Sequence, residues 1–180
     1  MPEIGVNPGH SHGLRELGVL EEDESSLEPA ELIKRTLEKK AVLPVMHILQ
    51  QEVGNSTFPY IDEFVTDSDD LLKTRMNKKE DIERLQDNVV SIGRAIYSAM
   101  VHIPLIEACG TELLNQAIGR NLLEEIEQNQ AEHFLKQIND IRKDADKMID
   151  EKGDDYIDKF ERLKKELLAR GGSTTDIFDI

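Results

Sequence analysis

The chain has 180 residues, a mass of 20.5 kDa and a formal net charge of −15. So negative a balance excludes a protein whose whole surface clings to nucleic acid or anionic lipid, because phosphate contacts need clustered Lys and Arg; only a local basic patch stays open. The apolar fraction of 38% lies below the roughly 45–50% of ordinary globular chains and there is no Trp, so apolar surface has to be gathered into stripes within one domain or a small bundle with tails, not two independent cores.

Residues 1–24 combine Gly5, Gly9, Gly13, Gly18, Pro2 and Pro8 with the acidic run Glu21-Glu22-Asp23-Glu24, which predicts a flexible or loosely docked arm. Residues 25–66 then read as short helices and a connector. Ser25 and Glu28 have capping-box spacing and Pro29 suits a first turn, so a helix is expected to start there and run through Leu32, Ile33 and Leu37 to about Ala41. Pro44 breaks or restarts it, and a second short helix through Val45, Ile48 and Leu49 ends near Gly54-Asn55. Phe58-Pro59-Tyr60 makes Ser56 to Thr66 a connector.

Asp67 or Ser68 is expected to cap a long helix, with Asp69 and Asp70 in its first turn. In that helix Ile82, Leu85, Val89, Ile92, Ile96, Ala99 and Ile103 are spaced 3, 4, 3, 4, 3, 4, a heptad seam that has to face another helix. Ile82, Leu85, Val89, Ile92, Ile96 and Ile103 are accordingly the expected oligomer interface. Pro104 directly after the seam predicts an antiparallel hairpin, returning through Leu105, Ile106, Leu114, Ile118, Leu122 and Ile126. Phe134, Ile138, Ile141, Ala145 and Met148 continue the pattern until Gly153 interrupts, closing a hairpin segment of residues 67–152. Residues 153–172 carry a last stripe of Tyr156, Phe160, Leu163 and Leu167, stopped by Gly171-Gly172.

The expected fold is therefore all-α: a long antiparallel helical hairpin within a helical bundle, with short N-terminal helices and flexible termini. Residues 173–180 are too short to fold alone, and Ile177, Phe178 and Ile180 between acids suit a peptide that docks on a partner.

Candidate chemistry is sparse. A di-metal carboxylate site needs Glu-x-x-His on two helices, whereas Glu132 and His133 are adjacent, and no two of the His at 10, 12, 47, 102 and 133 are four residues apart. No Gly-x-Ser-x-Gly, phosphate-binding or dinucleotide-binding glycine pattern occurs, so neither cofactor nor catalysis is expected. The single Cys109, beside Ile106 and Ala108, reads as a buried core thiol. Lys34, Arg35, Lys39 and Lys40 on the first helix are either a solvated face or the nucleic-acid contact of a helix-turn-helix-like unit. No run approaches the roughly 18 to 20 consecutive apolar residues of a membrane helix, and the N-terminus has no signal-peptide pattern, so a cytoplasmic chain without membrane contact is expected.

Over about residues 67–130 the sequence resembles the small terminase subunits of T-even-type bacteriophages. The similar features are Asp69-Asp70 opening the first helix, Arg75 and Asn77, Pro104 at the hairpin followed by Glu107, and Asn121-Leu122-Leu123 in the returning helix. Leu105 departs from the Arg that usually follows the proline in that family. The resemblance implies a non-enzymatic homo-oligomer that presents viral DNA to a large terminase and stimulates its ATPase, in the host cytoplasm. The alternative is a helical scaffold, adaptor or assembly chaperone with no nucleic-acid contact.

Overall fold

The computed structural model describes residues 11–19, 28–74, 78–174 and 177, and all regular structure among them is helical. In chain order the elements are α1 (Ser11–Glu16), α2 (Pro29–Glu38), α3 (Val42–Gly54), a 3-10 turn (Phe58–Tyr60), α4 (Ile61–Lys73), α5 (Lys79–Tyr97), a π-turn (Ser98–His102), α6 (Ile103–Gly119) and α7 (Glu125–Ala169). They form two compact units, residues 1–55 with 102–143 and residues 56–101 with 144–180. The single core expected from chain length is thus replaced by two, because each long helical run lends one stretch to each unit.

In the first unit, α2 and α3 pack on α6, and α1 packs on α3. Leu32, Ile33 and Leu37 of α2, Val45, Met46 and Leu49 of α3, and Ile106, Leu113 and Leu114 of α6 are buried there. α6 and the start of α7 form an antiparallel hairpin: Glu107 pairs with Arg142 at 2.5 Å, and a Cβ at Gly110 would lie 3.5 Å from Leu135 and 3.8 Å from Ile138. Its turn is Arg120 to Glu124, not Pro104.

Pro104 lies inside an uninterrupted helical run from Lys79 to Gly119. A proline ring crowds the carbonyl four residues back, here Met100, and the π-turn that contains Met100 widens the helix at that point, so the helical run continues through the proline. On mean hydropathy this 41-residue run is also long and apolar enough to cross a membrane, and 44% of its most apolar window is buried within the chain.

In the second unit, α4 lies along α5, and α7 runs antiparallel to α5, with Phe160 against Gly93 and the Ser173 backbone N–H donating to Gln86. Ile61, Val65 and Leu71 of α4, Leu85, Val89, Ile92 and Ile96 of α5, and Tyr156, Phe160, Leu163 and Leu167 of α7 form its core. Burial first, then the charge and hydrogen bond of Asp62, push the Tyr156 phenol up to about 12.

Other expectations shift. Part of the arm is docked, since α1 places Leu14 and Val19 fully inside the first unit; residues 1–10 and 20–27 lie outside the described set. Glu28 is extended, with φ −58° and ψ 142°, and makes no side-chain cap, and α2 starts at Pro29; the Ser25 end of the expected capping box lies outside the described residues. α4 starts at Ile61, where Asp62 and Glu63 take the dipole-favoured first turn, and Asp67 to Asp70 fall in its second half. Gly153 sits within the continuous 45-residue α7. Ile118 and Ile126, assigned to the core stripe, are exposed.

Four helices end by the same device: a residue in the left-handed region, with backbone bonds five and three residues back. The residues are Gly18, Lys40, Asn121 and Gly171, and the longer bonds are Val19 to Leu14, Ala41 to Thr36, Leu122 to Ala117 and Gly172 to Leu167. Lys40, at φ 54°, carries a Cβ where glycine is unstrained. Lys40→Gly is therefore expected to stabilise the chain by about 1 kcal/mol and to raise the melting temperature by about 2–4 °C. A lower melting temperature would contradict that backbone conformation.

Candidate functional site

The most enclosed polar cluster belongs to the first unit. Along α3 the stripe Val42, Val45, Leu49, Glu52 is spaced 3, 4, 3, so Glu52 occupies an apolar position and is carried into the core. The carboxylate meets His102 at the end of the π-turn, with Oε1 2.6 Å from Nε2 and side-chain exposures of 2% and 14%. An extra residue in a helical turn rotates the residues beyond it by about 100°, so the π-turn helps decide which way His102 is aimed. This pair escapes the sequence reading because its members are far apart in the chain, although a Glu in an apolar register was the available signal.

Cys109 of α6 completes the cluster in composition, and Cys, His and Glu are the residue types of a nucleophilic site. Its shift runs the wrong way for that chemistry. Burial, then the charge of Glu52, push the Cys109 thiol up to about 12, so it stays protonated at neutral pH, where a nucleophile needs a thiolate. With the ordinary value near 9, folding stability attached to this thiol is complete below pH 9 and is lost as pH rises toward 12. His102→Ala is expected to cost about 2–3 kcal/mol by stripping that partner from a buried carboxylate. Pairing it with Glu52→Met should recover most of the loss in urea denaturation, since well-packed apolar replacements of a buried pair are often neutral.

The seam is covered within one chain. Leu85, Val89, Ile92 and Ile96 of α5 are fully buried with α4 and α7 packed on that helix, Ile103 is fully buried at the start of α6, and Ile82 is half-buried, so no second copy is needed to bury the five. Of the basic set, Lys34, Lys39 and Lys40 are exposed at the α2 surface, whereas Arg35 pairs with Glu31 at 3.1 Å. Ile177 is only 9% exposed, so it is not offered as a free docking residue; Phe178 and Ile180 lie outside the described residues.

In the second unit, Asp62, Glu63, Asp67 and Asp70 gather along α4. Neighbours answer them: Arg84 and Asn88 bind Asp67, and Lys152 lies 3.7 Å from Asp62. Among the described residues no group of three or more His, Cys, Asp or Glu is placed to hold a metal ion. No protein-family model, curated protein or solved structure matches the chain.

Proposed function

We propose that this chain is a non-enzymatic helical assembly protein that works through self-association. The observation that carries the reading is a group of exposed apolar residues at one hairpin turn: Ile118 and Ile126 at the α6–α7 turn are 38% and 72% exposed, with Leu122 and Leu123 half-exposed between them. Large apolar residues grouped on a surface mark contact sites more often than isolated ones do. The Cys109 thiol, held protonated, adds support by removing the one nucleophile in the buried cluster. The mass of the full chain in solution tests the reading.

A DNA-packaging form, resembling a small terminase subunit that hands viral DNA to a large terminase, is favoured by the exposure of Lys34, Lys39 and Lys40. Two features behind that resemblance lie elsewhere, since Pro104 is inside a helix and Asn121 and Leu122 form the turn. Arg75 and Asn77 lie outside the described residues. This form predicts DNA retention at low salt that falls steeply between about 50 and 200 mM, and that Lys34→Glu with Lys39→Glu and Lys40→Glu abolishes. Retention unaffected by those changes would leave the scaffold or adaptor form.

A further inference from the structure

We infer that one end of the first unit, made by the α2–α3 turn and the α6–α7 turn, is a two-fold contact with a second copy of this chain, an inference that rests on the self-association reading. The placement derives from helix register. Glu52 of α3 meets His102, and Met46 reaches to 3.6 Å of a Cβ at Gly110, so α3 runs antiparallel to the helix ending in α6. Going back along α3 therefore moves toward the α6–α7 turn. At about 1.5 Å per residue, Val42 and the Lys39 to Ala41 turn come level with the last turns of α6.

That end has an apolar centre between opposite charges. Ile118, Leu122, Leu123 and Ile126 lie on the hairpin turn, while Leu43 is half-exposed and Pro44 exposed at the start of α3. Exposed Glu124 and Glu125 flank the centre on the α7 side, and exposed Lys39 and Lys40 on the α2 side. Arg120, at the tip, reaches back to Gln116 at 3.4 Å. A uniformly charged partner would match only half of such a surface. Rotating a second copy by two-fold symmetry sets the lysines of each chain against the glutamates of the other, and apolar centre on apolar centre.

The test is sedimentation of the full chain from low to high micromolar concentration, with melting temperature as the fold control. Ile126→Asp should weaken association at least about tenfold with an unchanged melt. Lys39→Glu with Lys40→Glu, and separately Glu124→Lys with Glu125→Lys, should each weaken it about as much, and combining the two sets should restore it to within a few-fold. If the charge variants fail to fold, Ile126→Asp decides alone. An assembled wild type whose mass ignores Ile126→Asp overturns this contact and leaves the self-association reading standing, whereas a wild type of single-chain mass throughout overturns both.

Discussion

Val89→Asp is expected to unfold the chain, not to dissociate an assembly of folded subunits. Val89 is fully buried in the second unit between Leu85 and Ile92, under α4 and beside the Phe160 contact of α7. A carboxylate there has no water and no basic partner in the apolar seam, and burying it costs several kcal/mol out of a total stability of about 5–15 kcal/mol. Circular dichroism should show a large loss of helix or a melt lowered by tens of degrees. A fully helical variant with a reduced mass would instead return the seam to the role of subunit interface that its heptad spacing suggests.

The second large effect concerns a close approach of α5 and α7. A Cβ at Gly93 would lie 2.8 Å from Cε2 and 2.9 Å from Cζ of Phe160, and that ring is fully buried. The ring cannot swing into solvent, so Gly93→Ala is expected to cost about 1–3 kcal/mol despite the better helix propensity of alanine. Phe160→Ala should cost more, about 3–5 kcal/mol, by opening a cavity. In a Phe160→Leu background the alanine has room, and Gly93→Ala should become neutral or stabilising in urea denaturation. Stabilisation by Gly93→Ala in the otherwise unaltered chain would contradict the packing of α7 on α5.

The helical periods carried most of the architecture. The 3, 4 spacing from Leu85 to Ile103 identifies a buried face, and Tyr156, Phe160, Leu163 and Leu167 identify the one on α7. Periodicity states that a face needs a partner helix but not whose helix it is, which is why a seam covered within the chain also fits an oligomer interface. Local signals misplaced the turns. Pro104 reads as a break because a proline usually is one, and only the neighbouring π-turn makes it compatible with a continuing helix. Asn121 and Lys40 end helices in a conformation that sequence associates with glycine, so these turns carry no glycine to mark them, as Gly171 marks the end of α7. The apolar register of Glu52 marks it as buried, but no local pattern names His102, far along the chain, as its partner.

The claim that this chain works by associating with itself is tested most directly by its mass in sedimentation equilibrium over a wide concentration range. The mass should rise from 20.5 kDa in dilute solution to at least twice that value at high micromolar concentration. A mass of 20.5 kDa at every concentration, with the helices intact, would contradict it.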